Sequence, residues 1–197
     1  MSNHTQHHVE DDANTEVYIS AAESIDDALL STYYTPERLQ PLFVLTLDYI
    51  GTQMKQGLTL PYFAELDADA WQQMNKTVDM YITDPDEGRA INLEARGKDY
   101  ATNILSYPSD LPADVLSMMP EIPLGELIVC HEVVVQQADE QHKTIEQHIS
   151  HLFVHGLLHL LGFDHELGEA EQAEMEGFEI AILAQHGLPN PYIANEE

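Results

Sequence analysis

Hydrophobic positions recur along the chain with both helical and extended periods, which predicts a fold that mixes helices and strands. Strand-like runs cover residues 17–22, 77–83, 103–107 and 127–130. Apolar positions at helical spacing cover residues 36–55, 60–74, 85–95, 132–141, 144–161 and 169–186. Residues 109–123 contain three prolines and are predicted to form a long loop.

This order of elements predicts an α+β fold, in which a small mixed β-sheet is covered by helices and the first strand lies at an edge. The helix at 144–161 is expected near the centre, because one of its faces is almost entirely apolar. Its other face carries histidines. A polar stripe on an otherwise buried helix indicates a cleft along that stripe.

Five of the eleven histidines lie between residues 148 and 165, in the sequence HISHLFVHGLLHLLGFDH. His155 and His159 are spaced i, i+4, which places both rings on one helix face within reach of one ion. Gly162 favours a helix end and a reversal that returns His165 toward this pair. Three neutral imidazoles with an open fourth position are typical of catalytic zinc. We therefore predict one Zn²⁺ per chain, in a metal cleft lined by the central histidine-bearing helix.

The other two histidines of this stretch, His148 and His151, continue the stripe one or two turns earlier. Histidines on an apolar helix can be ordinary core residues, but a helix-breaking glycine between the second and third ligand favours a metal site. We predict that His148 and His151 support the ligands or face the substrate.

The spacing H-x-x-x-H-x-x-G-x-x-H is also that of the metzincin proteases, so a zinc metallopeptidase-like hydrolase is an alternative. Those enzymes need a glutamate directly after the first histidine, as the base that activates water. This chain has Gly156 there, which cannot accept a proton. Met175 lies inside a helical pattern, unlike the Met-turn of these proteases. The base must therefore come from elsewhere, or the chemistry must need none.

The composition predicts one domain, residues 17–197, preceded by a disordered acidic arm over residues 1–16. No apolar run approaches the length of a membrane-spanning helix, and the polar N-terminus does not resemble a signal peptide. The single cysteine, Cys130, excludes an internal disulfide and is expected to be buried. These features fit a cytoplasmic protein.

The formal net charge is −28, from 35 acidic and 7 basic residues. Such a charge repels nucleic acid at long range and favours solubility. Three of the seven basic residues nevertheless lie close together in sequence: Arg89, Arg96 and Lys98. They form either a local anion site or an ordinary solvated surface, and charge alone does not separate these readings.

Residues 92–108, NLEARGKDYATNILSYP, form a second notable segment. On their own, Thr102 and Asn103 are typical turn residues ahead of a strand. Together with HGLLHLLGFDH at 155–165 and LGELIVC between them, the segment resembles the YbeY family of bacterial endoribonucleases, also called rRNA maturation factors. The resemblance extends from about Val17 to the C-terminus, where NPYIA is also similar.

The departures from the family pattern are mild, and none falls on the three histidines or on Arg96. Residues 29–67 are longer than expected for the family and indicate an inserted or extended helical region. Single residues differ where the family usually has Tyr, Phe, Asp and Tyr, namely at Ala95, Tyr107, Glu126 and Phe163.

The resemblance implies a single-strand-specific, metal-dependent endoribonuclease that matures the 3′ end of 16S rRNA and takes part in ribosome quality control. It implies single-stranded RNA, the rRNA of the small subunit and ribosomal proteins as partners, and no membrane. Arg96 carries over as the catalytic basic residue that handles phosphate. The zinc ligands carry over as His155, His159 and His165.

From the residues themselves, Arg96 would pair with the scissile phosphate and stabilise charge that develops in the transition state. Lys98 and Arg89 are predicted to contact neighbouring phosphates, and His151 to face the substrate. The 2′-hydroxyl of RNA is itself a nucleophile, which favours RNA over peptide when the catalytic glutamate is missing. A further alternative is a non-catalytic ribosome assembly factor with a structural metal, in which His151 or Asp164 would be a fourth ligand.

Overall fold

The computed structural model describes residues 15–193, which are built around a four-stranded mixed sheet. The strands are β1 (Glu16–Ala21), β2 (Asn75–Thr83), β3 (Ile104–Pro108) and β4 (Glu121–Cys130). Their order across the sheet is β1-β2-β4-β3. β1, β2 and β4 run parallel, whereas β3 runs antiparallel to β4. The predicted α+β fold, with a small mixed sheet and the first strand at an edge, is confirmed.

Eight helices within the described residues connect and cover these strands. They are α1 (Asp27–Tyr33), α2 (Pro36–Lys55), α3 (Ala68–Gln73), α4 (Pro85–Arg96), α5 (Ala113–Leu116), α6 (His131–Glu140), α7 (Ile145–Leu160) and α8 (Glu169–Gln185). Side-chain caps begin several of them, because Asp and Thr oxygens accept the first free backbone N–H groups. The capping residues are Asp26, Asp67, Asp84 and Thr144.

The histidine-bearing helix α7 packs directly on the sheet, as its apolar face predicted. Gly156 makes the closest approach: an added Cβ would lie 2.7 Å from Leu127 Cδ2 and 2.9 Å from Ile104 Cδ1. A side chain at this position would push α7 away from β3 and β4, since protein interiors are close-packed. One face of α7 therefore packs on the sheet, and the face that carries the histidines points away from it.

The predicted helix at 60–74 is wrong in its first half, because only α3 is helical. Leu60 precedes Pro61, and the residue before a proline is disfavoured in a helical conformation. The segment instead turns, buries Leu60 in the core and donates the Tyr62 N–H to the Leu161 carbonyl at 3.2 Å. Packing against the end of α7 thus outweighs the local helical pattern.

Residues 109–123 are not one continuous loop, contrary to the prediction. They contain α5, and β4 begins at Glu121 and passes through Pro123. β3 pairs with β4 only as far as Gly125, so one side of β4 has no partner strand at Pro123. Proline is tolerated at such a position, because strand edges do not need its missing N–H.

Other predictions concern the chain ends and the cysteine. The predicted arm at residues 1–16 lies outside the described residues except for its last two, and Glu16 already belongs to β1. That residues 17–197 form one domain stays a prediction. Cys130 is buried at the end of β4, as expected. Within residues 15–193, no helix is both long enough and apolar enough to cross a bilayer.

Candidate metal centre and substrate cleft

Helix α7 and the turn after it bring together three residues predicted to bind metal: His155, His159 and His165. The ring centroids of His155 and His159 are 4.6 Å apart, and each lies 5.2 Å from that of His165. One nitrogen from each imidazole lies within 4.8 Å of the other two. All three rings are partly buried and line the same cleft. The cluster has the dimensions of a site for a single metal ion.

The turn that returns His165 depends on Gly162. Its φ is +100°, a conformation that glycine adopts readily and other residues rarely do. An added Cβ would also lie 2.7 Å from Pro61 Cβ. Gly162 therefore lets the chain leave α7, pack closely against Pro61 and return to the open side of the histidine pair.

Glu179, on α8, fixes the orientation of His155. His155 Nδ1–H donates to Glu179 Oε1 at 2.7 Å, which leaves Nε2 of His155 as a free lone pair. The Nε2 atoms of His155 and His159 are 3.2 Å apart. Two nitrogens bound tetrahedrally to one zinc ion would be about 3.4 Å apart. The residues present therefore fit a zinc ion, and a carboxylate behind a ligating histidine is its usual support.

The protonation state of His159 also suits metal binding. Burial, and then the neighbouring His155 and His165, lower the pKa of His159 to about 4. An imidazole with this pKa is neutral near pH 7 and offers a lone pair. Three imidazoles favour zinc over calcium or magnesium, which prefer oxygen ligands.

The triad gains no fourth protein ligand among the residues that the structure describes. Asp164 lines the cleft but belongs to no candidate metal group, and His151 belongs to a separate group with His155 and Glu179. A closed structural zinc site would need four protein ligands. The geometry therefore favours a catalytic metal site over the structural one of the assembly-factor alternative.

The carboxylate of Glu179 is fully buried and accepts hydrogen bonds from three side chains. Besides His155, the donors are His151 Nε2 at 3.0 Å and the Tyr192 hydroxyl in a short hydrogen bond. Burial raises the pKa of Glu179, but the hydrogen bonds from His151 and His155 outweigh it and bring the pKa down to about 2. Glu179 is thus an anion at neutral pH, and His151 contacts the triad through it.

Sequence reasoning did not identify Glu179, although a signal exists. Along α8 it lies at the helical spacing of the buried residues Met175, Ile182 and Leu183. A carboxylate at a core position must find hydrogen-bond donors or a cation. A glutamate on an apolar helix face, in a chain with a histidine stripe, is therefore a pattern that predicts such a support.

The three histidines line a cleft of about 770 Å³, which also reaches β3, α6 and the C-terminal residues. Arg96, the last residue of α4, lies at this cleft with 42% of its side chain exposed. Its Nη2 is 3.7 Å from Oε1 of Glu166, the residue directly after His165. This loose ion pair leaves the Arg96 guanidinium near the triad and largely free to bind an anion.

Two other predicted phosphate contacts do not line the cleft. Arg89 makes a bidentate ion pair with Asp99, with distances of 2.6 and 2.8 Å, and both side chains are exposed. Lys98 is exposed and lies outside the cleft lining. A role for Arg89 or Lys98 in binding phosphate stays a prediction.

Lys143 is a cation of the cleft that sequence reasoning left out. Its Nζ donates to Gln141 Oε1 at 2.8 Å and to the Pro191 carbonyl, which ties Pro191 to the turn between α6 and α7. Arg96 and Lys143 are the two basic residues in the described cleft lining. The cluster at 89–98 therefore contributes only one of them.

His148 lines the cleft where it meets α6, seven residues before His155 on α7. It is 2% exposed, and its Nε2 lies 3.1 Å from Gln137 Oε1. Burial, followed by the charges of His151 and Lys143, lowers the pKa of His148 to about 4. His148 is therefore a buried neutral imidazole that contacts α6 and does not contact the triad.

The position of Gly156 argues against the metallopeptidase alternative. The contacts of an added Cβ with Leu127 and Ile104 place this residue on the face of α7 that packs on the sheet. A glutamate there would point into the core and could not serve as a base at the histidine face.

Comparison with known proteins gives matches over most of the chain. The family model described as Endoribonuclease YbeY matches residues 53–187. Endoribonuclease YbeY of Psychrobacter cryohalolentis is 65% identical over 147 residues, which are 75% of this chain and 95% of that protein. Endoribonuclease YbeY of Psychrobacter arcticus is 66% identical over 139 residues, 71% of this chain and 68% of the relative. The solution structure of TM1509 from Thermotoga maritima aligns with a TM-score of 0.45 and 19% identity, over 87% of this chain and 91% of that one.

Proposed function

Because this chain belongs to the YbeY family and is an endoribonuclease, we propose that it cleaves single-stranded RNA with a zinc ion. The ligands would be the histidine triad, with Glu179 as support. The substrate would be the rRNA of the small ribosomal subunit, in 16S 3′-end maturation and ribosome quality control in the cytoplasm, in contact with ribosomal proteins. The observation that carries the zinc proposal is the 2.7 Å bond to Glu179, which directs Nε2 of His155 toward His159.

The histidine triad would hold the zinc ion, which would supply Lewis-acid chemistry to the scissile phosphate. Arg96 binds a non-bridging pair of phosphate oxygens and stabilises the negative charge that develops on them. Its exposed guanidinium, with only the 3.7 Å contact to Glu166, is free for this task. Lys143 holds a neighbouring part of the RNA backbone at the other end of the cleft.

The nucleophile need not come from the protein. Glu179 is occupied by three donors, and Gly156 faces the sheet, so neither acts as the general base of a peptidase. The ribose 2′-hydroxyl lies next to the phosphate that it attacks, which gives RNA an internal nucleophile that a peptide lacks. The new O2′–P bond replaces the bond from phosphorus to the 5′-oxygen of the next nucleotide, O2′ gives up its proton, and the 5′-oxygen leaves as a hydroxyl. This difference favours RNA as the substrate on chemical grounds.

The test compares wild type with His159→Ala, Arg96→Glu and the control Arg38→Glu, which makes the same charge change at an exposed site outside the cleft. Substrates are single-stranded RNA, the same RNA with a 2′-deoxyribose at the cleavage site, duplex RNA and casein. Zinc per chain is measured by elemental analysis, and folding by circular dichroism.

The expected pattern separates the metal from the cation. His159→Ala loses zinc and cleavage, whereas Arg96→Glu keeps zinc and loses cleavage by about 10²–10³-fold. Arg38→Glu retains both, and only the unmodified single strand is cut. Zinc retained in His159→Ala would contradict the ligand set, and unchanged cleavage by Arg96→Glu would contradict its role at the phosphate.

A further inference from the structure

A chain of hydrogen bonds where the cleft meets α6 fixes the orientation of the Gln137 amide. The Ile104 backbone N–H donates to Asn103 Oδ1 at 2.7 Å, so the side-chain NH₂ of Asn103 must face the other way. That NH₂ donates to Gln137 Oε1 at 2.9 Å. Because Gln137 Oε1 is the acceptor, His148 Nε2 at 3.1 Å must also be a donor to it. Two donors on one oxygen prevent the amide from turning over.

His148 acts as a positioning residue for the Gln137 amide. Its ring is 2% exposed, and its Nε2–H donates to Gln137 Oε1 at 3.1 Å. Packing around the buried imidazole therefore also holds the amide in its orientation.

The oriented amide presents its remaining group to the cleft. Gln137 is partly buried and lines the cleft, and its NH₂ makes no hydrogen bond within residues 15–193. The Lys143 ammonium lies on the same wall, so this end of the cleft offers donors. It therefore suits a ligand group with acceptor atoms.

An aromatic face completes this end of the cleft. The Tyr192 ring stands edge-on to His151, with centroids 5.3 Å apart, and its hydroxyl is fixed on Glu179. The residue remains 45% exposed, so much of the ring is free. Unpaired bases commonly stack on tyrosine while amides bind their edges.

We propose that Gln137 and Tyr192 form a subsite for an unpaired nucleobase, whose carbonyl or ring-nitrogen acceptor binds the Gln137 NH₂ while its face stacks on Tyr192, and that Lys143 beside them contacts the backbone of the same strand. The proposal deepens the proposed function and rests on it only in that RNA occupies this cleft. His148 lies seven residues before His155 on α7, about 10 Å along the helix axis. The base would therefore belong to a nucleotide close to the scissile phosphate. A base in a duplex could not reach the amide, which gives a physical reason for single-strand selectivity.

The test pairs one substitution with a scan of the substrate. Gln137→Met keeps the length of the side chain and removes its NH₂, and Gln136→Met is the matched control on the exposed side of α6, where Gln136 bonds Glu140. Each zinc-loaded protein cleaves one single-stranded RNA in versions with an abasic nucleotide at each position in turn. A second series places a methylphosphonate at each linkage. We measure kcat/KM, zinc per chain and the melting temperature.

For wild type, we expect one abasic position near the cut to lower kcat/KM by about 10-fold, from lost stacking and hydrogen bonding. Gln137→Met should lose about 5–10-fold on intact RNA, mainly through KM, and almost nothing more at that abasic position. Gln136→Met should behave as wild type, and all three proteins should carry equal zinc.

Three outcomes would overturn the base subsite. The wild-type protein could show the same kcat/KM for every abasic RNA as for the intact RNA. This result does not depend on the folding of any variant. Gln137→Met could lose the same factor on intact and on every abasic RNA. The loss of kcat/KM caused by Gln137→Met could instead disappear on a methylphosphonate RNA and persist on every abasic RNA. The Gln137 amide would then bind a phosphate and not a base. Cleavage that persists without zinc would refute the metal proposal and not the base subsite. The effect of the abasic nucleotides on kcat/KM would still test the base subsite.

Discussion

Replacing Glu179 with glutamine should weaken zinc binding while leaving all three proposed ligands in place. Glu179→Gln keeps the size of the side chain and removes its charge. One of its two oxygens becomes an NH₂ group, so at least one of the three present donors then faces another donor. His155 also loses an anionic partner for its Nδ1–H, and the lone pair that it offers through Nε2 becomes less basic.

The size of the effect follows from the bond that changes. A charge-assisted hydrogen bond is about twice as strong as a neutral one, so His155 loses roughly 1 kcal/mol of support. Residues that support a metal ligand in this way typically change metal affinity by about 10–100-fold when replaced. We therefore expect the zinc Kd of Glu179→Gln to rise by at least about 10-fold, which corresponds to roughly 1.4 kcal/mol.

The assay is competition for zinc against a chromophoric chelator of known affinity, near neutral pH. Glu176→Gln is the matched control, because it makes the same change on the same helix and in the same cleft. Its carboxylate accepts a bond from Gln172 at 2.6 Å and contacts no histidine of the triad within the described structure. The control should stay within about 0.5 kcal/mol of wild type, as surface changes usually do. Equal zinc affinities of the two variants would refute the role assigned to Glu179.

Three further predictions concern packing, protonation and charge. Gly156→Ala places a Cβ 2.7 Å from Leu127 of the sheet and should lower the free energy of unfolding by about 1–3 kcal/mol. Gly177→Ala, whose Cβ would meet no atom within 4 Å, should raise it by about 0.5–1 kcal/mol. Denaturant titrations that rank the two variants the other way would contradict this packing. Because burial lowers the pKa of His148 from 6.5 to about 4, the unfolded chain takes up its proton first as pH falls. Stability should therefore decline between these two pH values more in wild type than in His148→Phe, and parallel unfolding curves would contradict the assignment. Finally, Arg96 and Lys143 are the two basic side chains in the described cleft lining. Zinc-free protein should therefore bind RNA with a log–log salt slope no steeper than about −1.4, and a steeper slope in fluorescence anisotropy would mean that more cations contact the RNA.

The helix α7 and its histidine cluster could be predicted from the sequence because residues close in sequence determine both. The helix expected at 144–161 is found as α7, because Thr144 caps it and Gln147 returns a bond to the cap. The same stretch sets the geometry of its own ligands, since helical spacing aligns two histidines and Gly162 supplies the reversal. The cap, the three histidines and the turn glycine all lie within residues 144–165, so their arrangement could be predicted without knowledge of the rest of the fold.

The residues that sequence reasoning missed are those that reach the site from distant elements. Glu179 contacts His155 from 24 positions away, and Gln137 is tied to Asn103 across 34. Gln137 looks like an ordinary polar helix residue until α6 and α7 are packed together, whereas Glu179 differs only in lying at a core position of α8, and its partner His155 is visible only in the fold. The misread stretch at 60–74 has the same origin, because its conformation depends on a bond to Leu161.

The strong negative charge makes sense if binding is confined to the cleft. Of the seven basic residues, Lys76 is buried and donates to the Met74 carbonyl at 2.6 Å, and Arg89 is paired with Asp99. With 35 acidic residues, the surface as a whole repels an RNA chain at long range. Affinity must then come from short-range contacts: the metal, the two cations of the cleft and the uncharged contacts to a base. Such contacts require a flexible strand that can bring phosphate and base into the cleft together, whereas a rigid duplex would meet the acidic surface without reaching them. On this reasoning, the acidity of the protein acts against unspecific RNA binding and adds to the selectivity of the site.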